Sequence, residues 1–245
     1  MILKFWLSFF LLILWVNLNS QASPLTFRSL PTAERIVCLT FDDGPNPGIT
    51  EKILDILETY QVKASFFIVG KEAEKYPDLI FRIHQQGHDI ENHSFSHPNL
   101  TLIPSENLTR ELDRTNDVIE GISGVTPRFF RPPGGQYNTA VLSEADKHNL
   151  IMILWSVNAQ DYIPGSPMHK LASVPAYKKQ SATLHDLVLH SVKAGSVILM
   201  HNGIMDTVNS LPIIIRSLQE QGYKIRSLSE FFSEYFLSNK VQDKP

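Results

Sequence analysis

What most limits the folds open to this chain is a rhythm of seven apolar, strand-like runs with helical or turn-rich stretches between them. The runs cover residues 35–41, 64–69, 88–92, 128–131, 151–157, 196–200 and 224–227. The first, 35–41, is rich in β-branched and aromatic side chains, which suit a pleated, buried surface. Between the first two, Ile53, Leu54, Leu57 and Tyr60 repeat at helical spacing. Residues 72–86 do the same and stop at Gly87, 104–121 open on Pro-Ser-Glu, and 207–221 end before Gly222. Strand and helix in alternation imply parallel strands joined by right-handed crossovers. This many units predicts an α/β fold, a distorted (β/α) barrel of about seven parallel strands in a single domain. An open doubly wound sheet is the alternative that strand counting leaves standing. Residues 163–180, with three prolines, are expected to form a long loop after the fifth strand.

The N-terminus breaks the rhythm. Lys4 precedes twelve mostly apolar residues, 5–16, and a polar stretch then closes on Ser20-Gln21-Ala22. A basic start, a short apolar core and a small-x-small ending describe a signal peptide over residues 1–22. A retained membrane anchor is the competing reading, but the core falls short of the ~20 apolar residues a spanning helix needs. The expected location is therefore secreted or periplasmic, at the cell envelope, with no membrane span after cleavage. Residues 23–34 read as a linker, 35–232 as the working domain and 233–245 as a polar tail, and a monomer is expected. A net charge of −3 without a basic run removes nucleic acid as a partner. Cys38 is the single cysteine and lies inside an apolar run, so no intramolecular disulfide forms.

In barrels of this kind catalytic groups gather at the C-terminal ends of the strands. The first run here leads into Asp42-Asp43-Gly44-Pro45, and the third into Asn92-His93-Ser94-Phe95-Ser96-His97. The fourth ends in Arg131-Pro132-Pro133-Gly134-Gly135, the fifth leads to Asn158-Ala159-Gln160-Asp161-Tyr162, and the sixth to His201-Asn202. Groups able to hold a metal or move protons thus converge on one rim.

Each motif alone is weak. His93 and His97 share an i,i+4 spacing, but so do His84 and His88, which read as a surface residue and a polar strand entry. An aspartate on a neighbouring strand end changes the reading of His93 and His97. Asp, His and His make an N/O set suited to Zn²⁺ or a similar divalent ion, with a position left open for water. A second carboxylate beside that set is placed to accept the water's proton. The plainer role for Asp42 and Asp43 is a cap or turn before Gly44-Pro45, for which one aspartate suffices. His201 is either a satisfied core histidine or, on that rim, a proton donor. Arg131 is either a surface charge or a guanidinium that orients a carboxylate.

Five motifs in order, Thr40-Phe41-Asp42-Asp43-Gly44, His93-Ser94-Phe95-Ser96-His97, Arg131-Pro132-Pro133, Asp161-Tyr162 and Leu199-Met200-His201, resemble those of the polysaccharide deacetylases. These are the NodB-homology domains of carbohydrate esterase family four, and the likeness spans roughly residues 35–232. The resemblance implies metal-dependent hydrolysis of N-acetyl groups on amino sugars. It makes Asp42 the general base, Asp43, His93 and His97 the metal ligands, and His201 the general acid. Arg131 becomes the residue orienting the base and Asp161 the one tuning the acid. Gly134, through its backbone N–H, and Tyr137, Leu199 and Tyr162 become substrate-binding positions, with Leu199 lining the pocket for the acetyl methyl. The implied cofactor is Zn²⁺, with Co²⁺ or Mn²⁺ as alternatives, and the implied partner is an N-acetylated polysaccharide or oligosaccharide.

The sequence also departs from the family pattern. Gly134 stands where an aromatic is common, Asn158 and Gln160 where Asp and Arg are frequent, and Tyr162 where Trp is frequent. These positions bear on substrate range and proton tuning, not on the metal set. The leading expectation is a deacetylase of N-acetylglucosamine polymers such as peptidoglycan or chitin. An O-acetyl esterase acting on acetylated xylan and a catalytically silent carbohydrate-binding domain are the alternatives. Silence is disfavoured, because binding alone requires neither a base nor an acid.

Overall fold

The computed structural model describes residues 25–161 and 176–242. The chain begins with β1 (Thr26–Phe27), β2 (Ile36–Gly44), α1 (Thr50–Thr59) and β3 (Ser65–Ile68). There follow α2 (Gly70–Lys75), α3 (Pro77–Gln85), β4 (Asp89–Asn92), α4 (Ser105–Ser123) and β5 (Phe129–Phe130). The second half holds α5 (Thr139–Lys147), β6 (Ile151–Ile153), β7 (Val157–Asn158), α6 (Ala176–Ser191) and β8 (Val197–His201). It closes with α7 (Met205–Glu220), β9 (Lys224–Ile225) and α8 (Leu228–Gln242). The strands pair in the order β1-β6-β5-β4-β3-β2-β8-β7, all parallel, with β9 added to the start of β2. This is the walk of a (β/α) barrel rather than a doubly wound sheet. It curls into an incomplete barrel, because no pairing joins β1 to β7 among the described residues.

Period-two alternation sorts the strand residues into two environments. In β2, Val37, Leu39 and Phe41 pack outward against Ile53, Leu54 and Leu57 of α1 and Leu211, Ile214 and Ile215 of α7. Ile36 and Cys38 face inward, with Phe67, Phe129, Ile153 and Val197 from the other strands. Leu228, Phe231 and Phe232 of α8 join that inner cluster and close one end of the barrel. At the other end the inward series changes character, to Thr40 and Asp42 on β2 and Leu199 and His201 on β8. Apolar side chains thus fill the body of the barrel, and polar ones crown it.

Several expectations are corrected here. The run 151–157 is two strands, because the Ile153 and Leu154 carbonyls turn to the Arg131 guanidinium and Ser156 N–H bonds to Val197 O instead. Inside the expected linker 23–34, β1 pairs with β6 and Leu30 is buried, so part of that segment belongs to the sheet. The expected helix over 72–86 is two, α2 and α3, divided at Tyr76-Pro77 where proline sets a new first turn. Of the expected loop 163–180, residues 176–180 open α6, and the rest lies outside the described residues. The expected polar tail continues α8 to Gln242, with Tyr235 and Phe236 against the inner cluster. Residues 1–22, read as a signal peptide, lie outside the described residues, among which no helix is long and apolar enough to cross a membrane.

Candidate active site

Asp42 and Asp43 are consecutive in a strand, so a regular backbone would aim them to opposite faces. The strand does not stop with the apolar run at 41 but continues to Gly44 with a bulge. Phe41 pairs with Phe66 and Gly44 with Ile68, which leaves one extra residue on β2. Asp43 absorbs it in the left-handed region, at φ 72°, a conformation Asp tolerates better than most residues. Both carboxylates therefore serve one rim. Gly44 is dictated by close approach: a Cβ there would run into the Asn202 amide.

Asp42 is buried at 4% exposure and its Oδ1 accepts a 2.6 Å hydrogen bond from Arg131 Nη1. Arg131 is fully buried, so it is no surface charge. Three more of its five N–H groups go to Thr40 Oγ1 (2.9 Å), the Ile153 carbonyl (3.0 Å) and the Leu154 carbonyl (3.0 Å). Its Cζ lies 4.0 Å from the Phe67 ring centroid. These bonds fix the guanidinium, and through Nη1 it holds one oxygen of Asp42.

The candidate metal ligands come from β2 and the loop after β4. His93 is buried, and its Nδ1 lies 2.7 Å from the Arg131 carbonyl, which can only accept. Nδ1 therefore carries the proton in the neutral ring, and Nε2 presents its lone pair to the rim. That Nε2 is 3.4 Å from Asp43 Oδ1, and His97 Nε2 is 3.1 Å from the same oxygen. Among the described residues no well-directed donor satisfies this buried Oδ1. Burial by itself raises the Asp43 carboxyl pKa, but the two imidazoles outweigh it and hold the group far below the usual carboxylate range. One donor atom from each of Asp43, His93 and His97 lies within 4.8 Å of the others. Converging lone pairs around a buried anionic oxygen fit a divalent cation.

His201 is the register partner of Asp42 across β2 and β8. Its Nδ1 donates to Asp161 Oδ1 at 2.8 Å, which leaves Nε2–H as the proton it can deliver. Asp161 is buried and also accepts from the His201 backbone N–H (2.7 Å) and Thr207 Oγ1 (2.5 Å). Burial lowers the His201 pKa, but the Asp161 hydrogen bond and the charges of Asp161, Asp42 and Asp43 overcome it and raise it to about 9. His88, by contrast, is buried, accepts from Ala64 N–H and is pushed down to about 4 by burial. It is a neutral core histidine.

The remaining expected positions divide. Leu199 is buried on the inward face of β8, one pleat below His201. Gly134 sits exposed at the rim at φ 62°, with nothing within 4 Å of an added Cβ. Tyr137 is half-buried against the Phe130 and Met152 cluster. Tyr162 lies outside the described residues. Sequence reasoning missed Trp155, half-buried with its ring packed on Gly135, and gave no role to Thr40 or Thr207. Trp155 offered a signal, an aromatic at a strand end; Thr207 offered none, since its partner is 46 residues away.

The polysaccharide deacetylase family model matches residues 29–153, half of the chain. The chain belongs to the polysaccharide deacetylase family. A peptidoglycan-N-acetylglucosamine deacetylase of Bacillus cereus is 35% identical over 201 residues, covering 80% of this chain and 68% of the relative. The peptidoglycan-N-acetylmuramic acid deacetylase PdaC of Bacillus subtilis is 32% identical over 197 residues, and this chain spans only 38% of its length. The solved Bc1960 peptidoglycan N-acetylglucosamine deacetylase superposes with a TM-score of 0.75 at 33% identity, over 84% of this chain and 92% of that one. Against the family pattern, Asn158 is a mild departure. Its Oδ1 accepts from Gln160 N–H at 2.8 Å in an Asx-type turn leading to Asp161, and an amide oxygen does this as an Asp would. Gly134 is a larger departure, since it leaves that part of a deacetylase rim without a side chain.

Proposed function

We propose that this deacetylase-family chain is a secreted, metal-dependent hydrolase that removes N-acetyl groups from N-acetylglucosamine-type polysaccharides and releases acetate. The observation that carries the reading is the pairing of Asp42 with His201 across β2 and β8, beside the Asp43, His93 and His97 donors. Zn²⁺ is the ion the N/O donor set suits best. When bound there, such an ion supplies Lewis-acid chemistry, lowering the pKa of water and polarising a carbonyl.

The chain's own residues supply the rest. Arg131 holds Asp42 Oδ1, so Asp42 Oδ2 accepts the proton of the attacking water. An amine departs only when protonated, and His201 Nε2–H delivers that proton while Asp161 steadies the imidazolium from the other side. Leu199, two residues before His201 on the same face, provides an apolar wall for the acetyl methyl. The signal-like residues 1–22 and the peptidoglycan substrates of the named relatives support action at the cell envelope.

Acetate release from N-acetylglucosamine oligomers and from acetylated xylan, each with and without chelator, tests the proposal. Release from the oligomers that chelator abolishes and Zn²⁺ restores is expected. Release from xylan alone would make the chain an esterase, and no release from either would leave a silent binding domain.

A further inference from the structure

The loop after β4 carries two metal-ligand candidates that are held in different ways. His93 is fixed by its own ring, buried and bonded to the Arg131 carbonyl. The His97 side chain is 41% exposed, and its aim depends on the loop backbone. That backbone is in unfavourable territory, with Ser94 at φ 63° and His97 at φ 59°. Something must hold it there.

Helix α4 does so along one turn. Glu111 Oε2 accepts from both Phe95 N–H and Ser96 N–H at 2.8 Å, and Oε1 accepts from Ser96 Oγ at 2.7 Å. From the same helix, the Leu112 carbonyl and Asn116 Oδ1 accept from Asn92 Nδ2 at 3.0 and 2.8 Å, which secures the start of the loop. From the opposite side, the first amides of α2 bond to the Ser94 and Phe95 carbonyls. The segment just before His97 is therefore clamped by the Glu111 carboxylate.

We infer that Glu111 is a positioning residue for His97, and through it for metal affinity. This rests on the proposed reading of Asp43, His93 and His97 as ligands. A carboxylate that merely joined a helix to a loop would change thermal stability and leave metal affinity alone. A positioning carboxylate changes metal affinity and turnover while the metal-free fold persists, as outer partners of metal ligands do.

The test measures Zn²⁺ affinity by competition with a chromophoric chelator, the absorption spectrum of the Co²⁺-loaded protein, the metal-free Tm, and kinetics on N-acetylglucosamine oligomers. Glu111→Ala is expected to weaken Zn²⁺ about 10–100-fold, alter the Co²⁺ spectrum and lower kcat at saturating metal with little change in KM. Glu111→Gln is expected to regain most of the affinity, because its amide oxygen still accepts from the two N–H groups. Glu106→Ala, an exposed change on the same helix, serves as the control. Should Glu111→Ala fail to fold, Glu111→Asp, one methylene shorter, is read in the same way. Unchanged Zn²⁺ affinity and Co²⁺ spectrum in a folded Glu111→Ala overturn the inference and leave the ligand assignment standing. Unchanged affinity in His97→Ala overturns the ligand assignment, and the inference with it.

Discussion

Arg131 shows how far a single residue's role depends on burial. A guanidinium with no exposure is costly unless its donors are paired, and here Asp42, Thr40 and two carbonyls take four of the five. Arg131→Ala is expected to destabilise the fold by about 3–5 kcal/mol in urea denaturation, since it leaves Asp42 buried and unpaired. Adding Asp42→Ala to it should cost less than the sum of the two single changes, which a double-mutant cycle reads directly. His201 makes the complementary case for pH. Its folded pKa of about 9 lies above the ~6.5 of an unfolded histidine. The stability its pairing contributes is thus fully present below ~6.5 and is lost as pH rises through about 9. With His201 as the proposed acid, activity is expected to fall in the same direction, because only the imidazolium donates a proton. NMR titration of the metal-free protein is expected to place His201 near 9, and Asp161→Asn to move it down. A bound cation beside it also lowers the value, by like-charge repulsion.

At the scale of elements, the decisive feature is the bulge that ends β2. It turns a strand that would hide one aspartate into one that presents two, and it uses a left-handed Asp43 to do so. The turn after β5 uses glycine for the same backbone freedom. Gly134 and Gly135 are both left-handed, at φ 62° and 67°. An alanine at either pays about 1–2 kcal/mol for that conformation. Only at Gly135 does the new Cβ also meet the Trp155 ring, at 2.6 Å. Gly135→Ala is therefore expected to lower the urea midpoint more than Gly134→Ala. The reverse order would mean that Trp155 does not pack on that turn. The two glycines look alike in sequence; their difference is made by a ring twenty residues further along the chain.

For the whole molecule, the barrel's polarity separates structure from chemistry. Phe231 and Phe232 of α8 seal one end, and the polar crown of Asp42, His93, Arg131 and His201 stands at the other. One consequence concerns the three Asn-x-Ser/Thr triplets, at Asn92, Asn99 and Asn107. Asn92 is fully buried with its Nδ2 bonded to Leu112 and Asn116, so a glycosylating host is expected to leave it bare, as peptide mapping by mass spectrometry would show. Much of this was legible in the residues themselves. The alternation of strand and helix and the gathering of polar groups at strand ends follow from local periodicity and residue type, which a linear chain displays, and the five motifs from their resemblance to the family. Strand β1, the break between β6 and β7 and the helical course of residues 228–242 were not legible. Each is set by partners elsewhere rather than by propensity: β1 by the open edge of β6, the break by the Arg131 guanidinium, and α8 by the barrel end it covers. The sequence by itself determined which chemical groups the rim holds and the order in which strands deliver them. Only the tertiary structure decided which oxygen of Asp42 is occupied, which nitrogen of His93 faces the candidate metal ligands, and that Thr207 joins Asp161 behind His201. Those outcomes depend on pairs as far apart as Asp42 and Arg131, 89 residues distant, whose meeting is fixed by sheet register and not by any local signal.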